Sequence, residues 1–345
     1  MDKLVVSSTS RGSGKTGVIL GLAKALGKPC GYIKPFGDRM VYSKKRLWDH
    51  DAMLLAHVLG IRENPENISF GFEHSKLKYM YDEEGAKKKL IEVSETVGKD
   101  KDFLFVETGE DLEYGTSVFM DPLSIAKCIK GRLLLVLGGR EGVIIDDLAF
   151  IKKYVDTKGV EIAGVIVNKI HDIKDFKDTY MDSLIELDIP VLGLLPFEPE
   201  LSFFNVEYLA EALLAKIIAG EKGLGNKVKN IFVGAMSATT ALRDEAFKKD
   251  NVLLITRGDR HDLILAALEL DMAALLLTNG HIPPANILNQ AQEKGVPVLL
   301  MNQDTFQVSK KVDDLEALIT KRDTTKMDLL EKMVKQHIDL KKLAK

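Results

Sequence analysis

Short apolar runs alternate with amphipathic stretches along the first 220 residues. The runs include residues 4–6, 103–106, 133–136 and 162–167, which are apolar at almost every consecutive position. A strand that is apolar on both faces is typical of a buried parallel sheet. Stretches such as 16–26 and 146–155 have helical spacing and polar starts. The pattern predicts a doubly wound, mainly parallel α/β domain over residues 1–220.

A second domain is predicted after a glycine-rich segment. Residues 220–226 contain three glycines, a composition typical of a linker. Apolar runs at 231–233, 252–255, 274–277 and 298–301 then alternate with helical stretches, so a smaller α/β domain is expected over residues 228–320. Apolar residues at helical spacing in residues 321–345 predict a C-terminal helical tail that packs on its own domain or on a second copy.

Composition narrows the class of protein. The chain has 345 residues, with 48 basic and 51 acidic side chains, so no global positive field favours nucleic acid or an anionic membrane as a partner. Cys30 and Cys128 lie far apart without a metal-binding pattern, which favours a reducing, cytoplasmic setting. No apolar run approaches 18 residues and the start does not resemble a signal peptide, so neither a membrane span nor secretion is expected.

The strongest motif is residues 8–16, Ser-Thr-Ser-Arg-Gly-Ser-Gly-Lys-Thr, between the first predicted strand and the first predicted helix. A glycine-rich loop at a helix start binds phosphates through backbone N–H groups. In such a loop the lysine reaches the β and γ phosphates, and the hydroxyl after it ligates Mg²⁺. The residues predicted to bind the nucleotide are therefore Thr9, Gly12, Ser13, Gly14, Lys15 and Thr16.

Polar residues at the ends of other predicted strands could complete this site. Glu107 ends the run at 103–107, and Mg²⁺ needs carboxylates in addition to one hydroxyl. Asp49 and Asp51 precede a helical run, where they could instead be N-caps. Lys34 follows a second predicted strand at residues 31–33 and is either a charge at the site or a solvated lysine. Asn168 follows another strand and is a candidate contact to the base, adenine being favoured.

The order of these motifs resembles the dethiobiotin synthetase family and its cobyrinic acid amide synthase relatives. Residues 8–16 are similar to that family's phosphate loop, 32–35 to its Tyr-Lys-Pro element, 51–52 to its Asp-Ala and 105–107 to its Val-Glu-Gly. The resemblance implies Mg²⁺ ligation by Thr16, Asp51 and Glu107, and an adenine contact by Asn168. Arg11, Asp38 and residues 108–111 depart from the family pattern, so dethiobiotin synthesis itself is not expected.

Both domains together resemble the N-terminal half of long-form phosphotransacetylases, in which a dethiobiotin synthetase-like domain precedes a DRTGG domain. Residues 234–237, 255–262, 277–280 and 297–299 follow the motif order of DRTGG domains. The phosphotransacetylase catalytic domain has no counterpart in this sequence, so acetyl transfer is not expected of this chain alone. Within the turn at 258–262, Asp259 and Arg260 are candidates for an effector or subunit contact. Alternatively, they pin the turn through a local salt bridge, with Asp262 capping a helix at 263–270.

Two functions follow from these expectations. In the first, an ATPase or an ATP-dependent carboxylate-activating ligase binds ATP and Mg²⁺, and Lys15 and Lys34 act as catalytic residues that neutralise charge on the γ-phosphoryl group. Its acceptor is a carboxylate, a carbamate or water. In the second, the chain is a non-catalytic, nucleotide-dependent sensor that regulates a partner metabolic enzyme. A purely structural module would leave the metal-site residues without a purpose. In either case we expect a homo-oligomer.

Overall fold

A computed structural model describes residues 1–43, 46–64, 67–155, 157 and 159–344. The chain forms two compact units. The first contains Met1–Glu198 and Lys321–Lys345, and the second contains Pro199–Thr320. The chain therefore leaves the first unit once and returns to it. Within the described ranges, no helix is both long and apolar enough to cross a bilayer.

The first unit alternates strands and helices along its N-terminal part. In chain order the elements are β1 (Asp2–Ser7), α1 (Lys15–Leu26), β2 (Cys30–Ile33), β3 (Met40–Ser43), β4 (Arg46–Asp49), α2 (His50–Val58), α3 (His74–Met80), α4 (Glu83–Gly98), β5 (Phe103–Glu107), α5 (Pro122–Ile129), β6 (Arg132–Gly138), α6 (Glu141–Tyr154), β7 (Ile162–Ile170), α7 (Ile173–Glu186) and β8 (Val191–Pro196).

Six of these strands form one parallel sheet in the order β2-β5-β1-β6-β7-β8. Alternate strand residues such as Val5 and Leu104 pack in a core with helices α4 to α7. Helix α1 packs on β1 and β5. The predicted doubly wound α/β class is confirmed, and the crossover connections bring the carboxyl ends of the central strands to one edge.

The second unit has its own sheet. Its elements are β9 (Phe204–Asn205), α8 (Val206–Leu213), β10 (Lys216–Ala219), β11 (Lys227–Val228), β12 (Asn230–Val233), α9 (Ala238–Ala241), β13 (Val252–Arg257), α10 (His261–Leu268), β14 (Met272–Thr278), α11 (Ala285–Lys294), β15 (Val298–Leu300) and α12 (Thr305–Asp313). The strand order is β10-β15-β14-β13-β12, with β10 antiparallel to β15 and the other neighbours parallel.

The domain boundary differs from the expected one. The predicted linker at 220–226 lies inside the second unit, because β10 before it pairs with β15 in the second sheet. The chain changes units between Glu198 and Pro199 instead. The expected start at residue 228 accordingly falls within this unit.

The C-terminal segment forms α13 (Thr324–His337) and α14 (Leu340–Leu343), and Lys345 of the predicted tail lies outside the described residues. Helix α13 packs on α1 and β8 of the first unit. Lys24 of α1 donates to Asp328 of α13 at 2.8 Å. A Cβ added to Gly21 of α1 would lie 2.7 Å from Cγ2 of Val334, so glycine is needed for this close packing. From the sequence the tail is expected to pack on its own domain or on a second copy, and the structure shows it packed on the first unit of its own chain.

Candidate functional site

The predicted phosphate loop connects β1 to α1 at the carboxyl edge of the first sheet. Gly12 and Gly14 have φ angles of +75° and +91°, a region that favours glycine. A Cβ at Gly14 would also lie 2.5 Å from Nδ2 of Asn168. Thr9 lies at the start of this loop and Lys15 begins the helix. The local geometry thus has the strand, tight loop and helix start that phosphate binding requires.

Two side chains near the C-terminal end of β7 hold this loop. Nδ2 of Asn168 donates to the carbonyl of Ser13 at 2.9 Å, and Nζ of Lys169 donates to the carbonyl of Gly12 at 2.7 Å. Asn168 is thus beside the phosphate loop, where its amide nitrogen makes a contact within the protein. Its contact with a base stays a prediction.

Lys15 is buried in the loop. Its ammonium donates to Oγ of Ser8 at 2.7 Å and to the carbonyl of Glu110 at 3.1 Å, both neutral oxygen atoms. Burial lowers the pKa of Lys15, and the charge of Glu107 opposes that shift. A buried ammonium held by neutral oxygens can still form a charge-assisted bond with an anion.

Thr16 and Glu107 meet at the sheet edge. The Thr16 hydroxyl donates to Oε1 of Glu107 at 2.9 Å, and the Tyr32 hydroxyl donates to Oε2 at 2.8 Å. Burial raises the pKa of Glu107 to about 7, with Lys34 opposing the shift. Burial also holds the pKa of Tyr32 well above its usual range, so its hydroxyl stays a donor. Each oxygen of this buried carboxyl group therefore accepts a hydrogen bond.

Lys34 is the centre of a buried charge cluster and is 1% exposed. Its Nζ lies 2.6 Å from Oδ2 of Asp51, 2.5 Å from Oδ1 of Asp38, 3.5 Å from Oδ2 of Asp49 and 3.9 Å from Oε1 of Glu107. Burial alone would lower the pKa of Lys34, but these carboxylates hold it well above its usual range. The solvated alternative for Lys34 is therefore wrong.

Asp49 and Asp51 have different roles. Asp49 is the N-cap of α2: its Oδ1 accepts from the N–H of Ala52 at 3.0 Å. Asp51 lies in the first turn of α2, where its Oδ2 accepts from Lys34 and from Arg39 at 3.0 Å. Burial would raise the pKa of Asp51, but Lys34 holds it well below its usual range. The N-cap interpretation therefore holds for Asp49 and not for Asp51.

The structure adds residues that sequence reasoning did not assign to the site. Oxygens of Asp38, Asp49 and Asp51 lie within 4.8 Å of one another, although Asp38 is noted in the sequence only as a departure from the family pattern. Tyr32 also contacts Glu107. Since alternate residues of a strand share a face, Tyr32 could have been inferred from its position two residues before Lys34.

The donor set fits a nucleotide with Mg²⁺. The buried hydroxyl of Ser13 has no hydrogen-bond partner among the described residues, and a ligand is one explanation for such a group. Thr16, Glu107 and Asp51 contribute oxygen atoms, the ligand type that Mg²⁺ takes. Asp51 and Glu107 both already face a cation, the Lys34 ammonium.

The turn at the carboxyl edge of the second sheet is held by local contacts. Arg260 donates to the carbonyl of Met236 at 2.7 Å and pairs with Asp262 at 3.3 Å, and Arg257 pairs with Asp259 at 2.6 Å. Helix α10 begins at His261 with Arg260 at the N-cap position, so the predicted start at residue 263 with Asp262 as cap is wrong. Asp262 lies in the first turn, where an acidic residue is favourable.

These features define a P-loop NTPase-like domain followed by a second α/β unit. The chain belongs to the family described as "AAA domain", whose model matches residues 2–204, and a DRTGG domain matches residues 208–315. The resemblance to a dethiobiotin synthetase-like domain followed by a DRTGG domain is thereby confirmed. The DRTGG match begins before the predicted start at residue 228, in agreement with the second unit of the structure.

Relatives that align with almost the whole of this chain are phosphate acetyltransferases. That of Pseudomonas putida is 22% identical over 98% of this chain and 51% of its own length. That of Synechocystis sp. is 25% identical over 99% of this chain and 51% of its own length. The chain thus spans about half the length of these relatives.

Solved structures are similar to parts of the chain. The MinC:MinD cell division protein complex of Aquifex aeolicus gives a TM-score of 0.37 at 20% identity, covering 58% of this chain and 84% of that chain. A second structure contains the CBS and DRTGG domains of the regulatory region of Clostridium perfringens pyrophosphatase, complexed with the activator diadenosine tetraphosphate. It gives a TM-score of 0.26 at 15% identity, covering 45% of this chain and 73% of that chain.

Proposed function

We propose that this chain binds Mg-ATP and either hydrolyses it or transfers its γ-phosphoryl group to an unidentified acceptor, under control of the DRTGG domain. The observation that carries the proposal is the buried cluster at the carboxyl edge of the first sheet. There, Lys15 and Thr16 of the phosphate loop lie beside Glu107, and Glu107 lies beside Lys34 and Asp51. Open α/β sheets bind their ligands at this edge.

In this proposal the loop residues and Lys15 bind the phosphates. The loop N–H groups supply hydrogen bonds, and Ser13 supplies its unpartnered hydroxyl. Lys15 exchanges its neutral acceptors for phosphate oxygens. Asn168 positions the loop and is the candidate for the adenine contact.

Thr16, Asp51 and Glu107 are the proposed metal ligands. When bound, Mg²⁺ would neutralise phosphate charge and polarise the phosphoryl group. Lys34 is the second catalytic lysine in the proposal. Its raised pKa keeps it protonated, so its ammonium can neutralise charge on the γ-phosphoryl group. Asp38 and Asp49 hold that ammonium near the edge of the sheet.

The acceptor is a carboxylate, a carbamate or water, which gives an ATP-dependent carboxylate-activating ligase or an ATPase. Acetyl transfer, named for the relatives, is not proposed for this chain, since it spans about half of their length. The free thiols of Cys30 and Cys128 support a reducing, cytoplasmic setting.

A non-catalytic sensor is the second candidate, and the packing of α13 favours it. Helix α13 follows directly on the second unit and packs on α1, the helix that begins with Lys15. A change at the phosphate loop can therefore reach a segment that is covalently joined to the DRTGG domain. Asp259 and Arg260 are proposed to contact the effector of that domain.

Two measurements separate these candidates. Isothermal titration calorimetry with ATP and Mg²⁺ tests binding, and release of labelled phosphate from γ-labelled ATP tests turnover. A protein that binds ATP and releases phosphate, with the release lost in Lys34→Ala, supports catalysis. Binding without phosphate release, alone or with candidate carboxylates added, supports the sensor. Absence of binding contradicts both.

A further inference from the structure

Helix α6 presents an apolar stripe to solvent. Val143, Phe150 and Tyr154 are 50%, 57% and 64% exposed. They are seven and eleven residues apart along the helix, so they share one face at about 100° per residue. Ile144, Leu148 and Ile151 lie roughly 100° around the helix from this stripe and are buried in the core of the first unit. The helix is therefore apolar both toward the core and toward solvent.

Two opposite charges flank this stripe. Asp146 and Lys153 are exposed and stand seven residues apart, which places them on the same flank of the helix. The acidic residue lies toward the N-terminal half of the stripe and the basic residue toward its C-terminal half. Lys152 points away, about 100° further around the helix, and lies 3.9 Å from Asp188.

This pattern is self-complementary. When two identical helices pack antiparallel about a two-fold axis, residue i of one copy contacts residue j of the other, and the reverse contact also forms. Asp146 of each copy would then face Lys153 of the partner subunit, so that two equivalent ion pairs form along one flank of the contact. Val143 would face Tyr154 of the partner subunit, with Phe150 close to the axis. In a parallel two-fold pair this flank of the two helices would lie on opposite sides of the contact, so Asp146 and Lys153 would not pair across it.

We propose that the α6 stripe is a self-association surface for a second copy of this chain in antiparallel orientation. The proposal is independent of the proposed function, because it uses none of the residues assigned to nucleotide or metal. One helix pair buries less surface than a standard interface, so the association is weak and concentration-dependent.

The test is sedimentation velocity of the full chain over a concentration series, without nucleotide. We expect wild type to reach twice the mass of the chain, and Phe150→Asp to stay monomeric. Asp146→Lys and Lys153→Asp should each weaken association roughly tenfold or more, because each places like charges opposite one another. Their 1:1 mixture should form a heterodimer, and the double variant should recover the wild-type affinity. Lys152→Asp is the matched control and should associate like wild type.

Circular dichroism confirms that each variant is folded. A wild type that stays monomeric over the concentration series overturns the proposal, because the stripe then does not bind a second copy of this chain. A dimer that persists in Phe150→Asp overturns it as well. If Phe150→Asp fails to fold, the charge variants decide: no recovery in either the mixture or the double variant overturns the antiparallel contact.

Discussion

The hydroxyl of Thr16 lies 2.9 Å from Oε1 of Glu107, although the two residues are far apart in sequence. Strands β1 and β5 pair in parallel with Val6 opposite Glu107, so the loop after β1 begins beside the carboxylate that ends β5. This contact joins the phosphate loop to the Lys34 cluster, since Lys34 lies 3.9 Å from the same carboxylate oxygen. The proposed metal and phosphate positions therefore adjoin one another.

Removing charge at the proposed metal ligands should weaken the magnesium dependence of ATP binding. Asp51→Asn and Glu107→Gln keep the side-chain shape while removing an anionic ligand, so each should raise the Mg²⁺ concentration needed for half-maximal ATP binding by roughly tenfold. ATP binding in EDTA should change much less. Asp121→Asn is the matched control, because Asp121 caps α5 through the N–H of Ser124 and is not among the proposed metal ligands or the carboxylates around Lys34. Metal titrations of Asp51→Asn and Glu107→Gln that overlay wild type would contradict the assignment.

The stability of the free protein should depend on pH through Glu107. Burial raises its pKa from the usual 4.5 to about 7, so the folded protein keeps a proton that the unfolded chain releases. The free energy of unfolding therefore falls as pH rises from 4.5 through 7, by roughly 3 kcal/mol for this group. Glu107→Gln should lack this fall. Urea titrations of both proteins at pH 5, 6, 7 and 8 in EDTA measure this difference. If the free energy of unfolding has the same pH dependence in wild type and Glu107→Gln, Glu107 does not titrate in this range.

The packing of α13 on α1 should depend on Gly21. In Gly21→Ala the new methyl group would lie 2.7 Å from Val334 and 2.9 Å from the carbonyl of Leu330. Displacing α13 should lower the free energy of unfolding by roughly 1–3 kcal/mol. Gly142→Ala in α6 is the control, because its nearest neighbour, the Tyr180 hydroxyl, lies 3.9 Å away. It should leave stability unchanged or raise it by up to about 1 kcal/mol. Equal stability of Gly21→Ala and wild type in urea would refute the tight contact.

Arg260→Ala should separate the two interpretations of the second-unit turn. The variant loses the bond to the Met236 carbonyl, so the free energy of unfolding should fall by about 1 kcal/mol, while ATP binding by the first unit stays intact. If Arg260 also contacts an effector, small molecules that co-purify with wild type should be missing from the variant by mass spectrometry. Reduced stability with the same co-purified molecules would mean that Arg260 only pins the turn.

The fold class and the phosphate loop are predictable because they rest on local signals: consecutive apolar residues and glycines between a strand and a helix. The domain boundary is not, because the glycine-rich segment after β10 looks like a linker until β10 is seen to pair with β15. The roles of Asp49 and Asp51 also depend on tertiary structure. Either can cap a helix, and only the position of Lys34 shows which one faces the charge cluster.

Calorimetric titration of ATP with Mg²⁺ into wild type and Lys15→Ala tests the central claim most directly. The ammonium of Lys15 is the buried cation of the phosphate loop, so its removal leaves phosphate charge without that donor. We predict binding by wild type and at least roughly 100-fold weaker binding by folded Lys15→Ala, consistent with the loss of a charge-assisted bond of about 3 kcal/mol. Equal ATP affinity in the two proteins would contradict the assignment of residues 8–16 as the phosphate-binding loop.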